Sequence, residues 1–165
     1  YVVVAETGRG DEAIRLVEEH SPDLCVFDIK MPGMDGLAAA REVSSGRKAA
    51  VVILTAFSQR SLIEEARDAG VLSYLVKPFQ REELVSAIEV ALGRFEEIVQ
   101  LDATVRELEE QLEARKAVDR AKGLLMDNHG LAEADAFAFV QKTAMSERRP
   151  MLDVAKQIIS GDLLP

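Results

Sequence analysis

The sequence predicts an open α/β sheet followed by an all-α tail, and three observations carry that reading. Three apolar runs, Leu24-Cys25-Val26-Phe27, residues 50–54 and residues 73–76, each deliver a polar residue at their carboxyl end: Asp28, Thr55 and Lys77. Helix-length segments separate the runs, which is the spacing of parallel strands joined by crossover helices. Beyond Arg81 no strand signal recurs, and the apolar residues keep helical spacing.

The strand ending at Asp28 runs into the turn-rich Lys30-Met31-Pro32-Gly33-Met34-Asp35-Gly36. Residues 37–43 are amphipathic and are stopped by Ser44-Ser45-Gly46; the next strand follows at 50–54. Leu62, Ile63, Ala66 and Ala69 form a helical stripe ended by Gly70, and residues 73–76 form the last strand. From Arg81 only Gly93 interrupts the pattern before Gly123, so one long helix is predicted. Its positions Ile98, Leu101, Val105, Leu108 and Leu112 make a short heptad seam.

Three helical faces close the chain. Ala117, Val118, Ala121, Leu124 and Leu125 form the first, capped by Asn128-His129-Gly130. Ala136, Phe137, Val140 and Ala144 form the second. Met151, Val154, Ala155, Ile158 and Ile159 form the third, with Pro150 at its start. The domain reading is therefore 1–94 for the α/β part, 95–114 for a coiled-coil-like helical linker, and 115–165 for a three-helix bundle.

Composition narrows the class. At 165 residues and 48% hydrophobic, the chain can bury one ordinary core and a small helical appendage. No apolar stretch reaches the length of a membrane span and no signal-peptide layout opens the chain, so a cytoplasmic location is expected. The single Cys25 lies in an apolar run and reads as a core residue; His20 and His129 are isolated, which leaves no metal-ligand cluster. The net charge of −9 argues against nucleic acid on its face, but its distribution does not. Residues 1–113 hold 12 Lys or Arg against 22 Asp or Glu, whereas residues 114–165 hold 8 against 7. The tail is electrostatically a separate unit.

A carboxylate, a hydroxyl and an ammonium delivered by successive strand tips suit one chemistry. A carboxylate can attack a phosphoryl group, and the acyl phosphate then needs donors and cations around its new charge. The pattern Asp28-x-Lys30-x-Pro32-x-x-Asp35-Gly36, then Thr55-Ala56, then Lys77-Pro78-Phe79, resembles the receiver domain of two-component response regulators. That resemblance implies a flavodoxin-like, doubly wound parallel sheet of strand order 2-1-3-4-5. It also implies that a sensor histidine kinase phosphorylates Asp28, that Thr55 is the switch hydroxyl, and that Lys77 is the phosphate partner. Tyr74 is implied as the aromatic that turns inward on activation, and the Lys77–Pro78 bond as cis. Taken singly, each residue has an ordinary reading: a turn former, a β-former, a solvated charge, a core aromatic.

The family holds Mg²⁺ with an acidic pair at the tip of its first strand together with the phosphoacceptor and a carbonyl. Here Asp28 and the Lys30 backbone carbonyl match, while Glu6 ends the wrong strand. Because residues 1–5 match the second strand, the first strand, the first helix and the acidic pair are expected before Tyr1, on the order of 30 or more residues. Mg²⁺ is expected only with that pair.

The tail carries a second resemblance. Residues 115–126, with Ala121-Lys122-Gly123-Leu124-Leu125 at their centre, then Ala136-Phe137, Ala144-Met145 and Arg148-Arg149 before Val154-Ala155, are similar to the ANTAR domain, an RNA-binding output module of antitermination regulators. The pairing with a receiver resembles actinobacterial antiterminator response regulators, mycobacterial ones included. It implies RNA hairpins as partners, with Arg120, Lys122, Gly123, Arg148 and Arg149 as the contact set. Phe137 lies on the apolar stripe and is expected in the core; Phe139 is left open between packing and base stacking.

The reading is thus a two-component response regulator, not an enzyme, acting by transcription antitermination. A phosphoaspartate hydrolase of the haloacid dehalogenase type would want an acid where Lys30 stands. A DNA-binding response regulator and a phosphorylation-independent RNA-binding pseudo-receiver are the alternatives. The heptad seam is read either as a stripe packing on its own domain or as a dimer contact. Glu107, Glu109, Glu110 and Glu113 crowd it, so a homodimer would be weak or phosphorylation-dependent.

Overall fold

The computed structural model describes residues 1–56 and 60–165, which divide into two units, Tyr1–Leu101 and Asp102–Pro165. In the first unit, β1 (Leu24–Asp28), β2 (Ala50–Thr55) and β3 (Ser73–Val76) form a parallel sheet in the order β1-β2-β3. Leu24 pairs with Ala50 and Asp28 with Leu54; Thr55 pairs with Val76. This register is what brings the three carboxyl ends level.

Helices cover both faces of the sheet. Ala13 and Val17 of α1 (Gly10–His20) and Ala39, Ala40 and Val43 of α2 (Gly36–Ser45) pack on Cys25, Phe27, Val51 and Ile53. On the opposite face Ala87 and Ala91 of α4 (Arg81–His129) pack on Ala50 and Val52. Alternate side chains of β2 are therefore buried in both directions, as its continuous apolar run requires. The helix α3 (Arg60–Asp68) joins β2 to β3.

Local chemistry starts and stops these helices. The Asp35 carboxylate accepts from the Ala38 N–H at 2.7 Å and caps α2. Glu83 reaches back to the Gln80 N–H at 2.7 Å at the start of α4, half of a capping box. Gly130, in the left-handed region, closes α4 by donating to the Met126 carbonyl.

In the second unit the later part of α4 packs with α5 (Glu133–Glu147) and α6 (Met151–Ser160). Val118, Ala121 and Leu125 meet Ala136, Val140 and Ala144, and Val154, Ala155 and Ile158 complete the core. Small residues at the facing positions let three short helices approach closely.

Residues 1–5 depart from the expected strand. Among the described residues the sheet has three strands and none pairs with this arm, whose Tyr1, Val2, Val3 and Val4 side chains are exposed. A strand exists only through its ladder, so an apolar run without a neighbour remains irregular. The Tyr1 hydroxyl donates instead to Glu89 on α4.

Four of the five seam positions on α4 are open, while Ile98 is partly buried. Leu101, Val105, Leu108 and Leu112 are each more than half exposed, with Leu101 at 65%.

Candidate functional site

Asp28, Thr55 and Lys77 line one cleft of about 380 Å³, together with Ile29, Lys30, Ala56 and Leu62. Each polar residue arrives there because its strand ends there. The backbone fastens the tips to one another: the Ile29 N–H donates to the Leu54 carbonyl at 3.2 Å, and the Lys77 N–H donates to the Thr55 carbonyl at 2.7 Å.

The cleft's electrostatics are set by one pair. Lys77 Nζ donates to Asp28 Oδ2, while Oδ1 accepts a longer bond of 3.4 Å from the Lys30 N–H. The hydrogen bond from Lys77 holds the Asp28 carboxyl below the usual carboxylate range, and partial burial opposes it. Asp28 is thus ionised at neutral pH, the state a nucleophile needs. Both side chains are about two-fifths exposed, so the pair tunes charge more than it stabilises the fold. Thr55 is only 5% exposed and forms part of the wall of the cleft. The Lys77–Pro78 bond is cis, as the family resemblance implies. Tyr74 points outward and is exposed.

A glycine sets the approach of the loop that carries Asp28. A Cβ on Gly36 would lie 2.0 Å from the Asp28 carbonyl oxygen, and the Gly36 N–H donates to the Ile29 carbonyl at 2.9 Å. Sequence reasoning placed Gly36 in the motif without this role, because close backbone approach has no signature in spacing. Leu62 was assigned to a helical stripe; its place at the first turn of α3 also makes it a wall of the cleft.

Among the described residues no three His, Cys, Asp or Glu side chains stand together to hold an ion. The Asp28 carboxylate and the Lys30 backbone fall short of the near-octahedral oxygen shell that Mg²⁺ demands.

The residues singled out for RNA lie in the second unit. Arg120 is exposed on α4. Lys122 is 17% exposed, with Nζ 2.9 Å from Glu133 and 3.2 Å from Asp119. Those two carboxylates, Glu133 first, raise its pKa. Lys122 therefore ties α4 to the first turn of α5. Gly123 lies within α4 where a Cβ would meet nothing within 4 Å. Arg148 adopts the left-handed conformation that ends α5, and Arg149 Nη1 reaches Glu147 at 3.1 Å and Gln157 at 3.2 Å.

Phe137 departs from its expected place in the core, and Phe139, which was open between packing and stacking, takes the packed position. Phe139 packs against the core of Ala136, Val140 and Ala144, whereas Phe137 is 42% exposed. The buried positions 136, 140 and 144 are four apart, which centres the apolar face one step away from Phe137.

Both units match known families. Residues 1–89 match the family model for the response regulator receiver domain, and residues 106–159 match that for the ANTAR domain. The chain is 52% identical over 159 residues to the transcriptional regulatory protein PdtaR of Mycobacterium tuberculosis, covering 96% of this chain and 78% of that protein. The signal receiver domain of the response regulator NarL from Mycobacterium tuberculosis superposes with a TM-score of 0.53 at 31% identity, covering 56% of this chain and 75% of that one. The CheX–CheY–BeF3–Mg²⁺ complex from Borrelia burgdorferi gives a TM-score of 0.50 at 25% identity, covering 55% and 68%. The chain belongs to the two-component response regulators, with a receiver domain followed by the RNA-binding ANTAR antitermination module.

Proposed function

We propose that Asp28 is the phosphoacceptor. One Asp28 carboxylate oxygen attacks the phosphorus of a phosphohistidine on a sensor kinase; the N–P bond breaks, the O–P bond forms, and the imidazole leaves with the electron pair. Lys77 then turns from the carboxylate to the new phosphoryl oxygens and Thr55 donates its hydroxyl to them, which meets the added negative charge. The observation that carries this reading is the convergence of Asp28, Thr55 and Lys77 on one cleft at the ends of consecutive parallel strands.

With an acidic pair N-terminal to Tyr1, as the receiver resemblance implies, Asp28 and the Lys30 carbonyl would be the donors this chain adds for a Mg²⁺ that would offset phosphoryl charge. The solved CheX–CheY complex is described with Mg²⁺ and BeF3, which supports Mg²⁺ as a ligand of a receiver of this kind. Tyr74 moves inward once Thr55 is drawn to the phosphoryl group, and the change is passed along α4, the segment 95–114 acting as linker. Residues 115–165 then hold an RNA hairpin through Arg120, Arg148 and Arg149, with Lys122 and Gly123 in the helix behind them, and transcription continues past a terminator. This is a population shift that phosphate drives by its differential affinity for two states. Pairing of the open seam in a weak, phosphorylation-dependent homodimer is part of the same reading. The chain works in the cytoplasm as a switch rather than as an enzyme; no helix among the described residues is long and apolar enough to cross a membrane.

The test is labelling by a small phosphodonor such as acetyl phosphate, read by intact mass. Wild type gains one phosphoryl group and Asp28→Asn gains none; persistent labelling of the variant at another residue refutes the assignment.

A further inference from the structure

The α5 surface carries two large apolar side chains that the core does not use. Phe137 is 42% exposed and Met145 73%, while Val140 and Ala144 between them are buried. Residues 137, 141 and 145 follow one another at four-residue steps, so Phe137, exposed Gln141 and Met145 share one side of the helix. An aromatic and a thioether left in water beside a filled core mark a surface that meets something.

Charge decides what that is. Glu133 is neutralised by Lys122 at 2.9 Å and Glu147 by Arg149 at 3.1 Å. No acid pairs with Lys142 or Arg148 among the described residues, and both are exposed on α5 or its C-cap; the remaining acid of α5, exposed Asp135, lies in its first turn, so the C-terminal end of the helix keeps the positive charge. The surface thus joins an aromatic face to uncompensated cations, the combination that receives an unpaired base and its phosphates.

We propose that Phe137 is the platform on which an unpaired hairpin-loop base stacks, with Met145 extending the apolar contact and Lys142 and Arg148 meeting the backbone. The inference rests on the RNA-binding reading above and adds a specificity-determining residue to it: Phe137 selects a hairpin for its open loop, whereas the cations grip any phosphate.

The experiment uses the full chain and a pool of RNA stem-loops with a constant stem and randomised loop, from which wild type selects a binder. The selected hairpin and the loopless duplex of the same stem are then titrated with wild type, Phe137→Ala, Phe137→Leu and Phe137→Tyr. Phe137→Ala and Phe137→Leu are expected to lose about tenfold in hairpin affinity, the scale of one base–aromatic stack, with duplex binding unchanged and Phe137→Tyr close to wild type. Hairpin affinity retained by Phe137→Ala overturns the inference and leaves the RNA reading standing. Retention by Phe137→Leu alone overturns stacking, since leucine keeps the apolar area without the π face. A wild type that selects no hairpin removes the RNA reading and this inference together. Sedimentation of the RNA-free chain supplies the remaining outcome: a dimer that dissociates on Phe137→Ala assigns the surface to a second copy of the chain and overturns the proposal.

Discussion

The receiver unit and the output unit solve recognition in opposite ways. In the first, backbone topology does the gathering: parallel register levels three strand ends, and Asp28, Thr55 and Lys77 meet in one cleft whatever their neighbours in sequence. In the second, recognition must come from helix surfaces, where a side chain's direction depends on the register of a packed core. The cleft is therefore held by close backbone approaches, and the surface by side-chain volume in the core. Changes to backbone and to core should separate the two.

The largest separation is expected from Leu125→Ala, which removes a side chain only 1% exposed at the centre of the output core. The cost is about 2–5 kcal/mol of that unit's stability, read by thermal denaturation, while phosphodonor labelling of Asp28 persists. Loss of labelling would show that the two regions are not separate. Next come paired glycine substitutions of opposite sign. Gly36→Ala forces a Cβ against the Asp28 carbonyl and should cost about 1–3 kcal/mol and slow labelling. Gly123→Ala sits in open helix surface and should gain about 0.5–1 kcal/mol. Equal effects in urea unfolding would erase the contrast between backbone approach and helix surface.

The smallest effect concerns charge. Asp28 titrates below the usual carboxylate range because of Lys77, so its contribution to stability is present above the ordinary carboxylate pKa and fades as pH falls through the lowered value. Lys77→Met should return the Asp28 pKa upward toward its ordinary value, followed by carboxyl NMR titration. An unmoved pKa would mean that Lys77 is not what charges the cleft.

The contrast also explains what could be read in advance. The runs ending at Asp28, Thr55 and Val76 were legible because each is apolar and its polar end stands out; β2 is buried on both faces, whereas β1 and β3 each expose one side chain, Val26 and Tyr74. The helical tail was legible in outline, since stripes at 136, 140 and 144 or at 154, 155 and 158 announce one core. Finer placement was not. Phe137 and Phe139 flank the stripe on either side, and which one turns inward depends on how α5 rolls against α4 and α6. Lys122 reads as a free cation until folding brings Glu133, eleven positions later, to within 2.9 Å. Residues 1–5 have strand composition, but pairing is a property of two segments and not of one.

The central claim is that phosphate at Asp28 changes how the output helices hold RNA. Its most direct test is the affinity of the full chain for a selected RNA hairpin, measured by gel shift before and after phosphodonor treatment, with Asp28→Asn alongside. Tighter binding after treatment in wild type and no change in the variant is the predicted result. Equal affinity in both states of the wild type, with labelling of Asp28 confirmed by mass, would contradict the account.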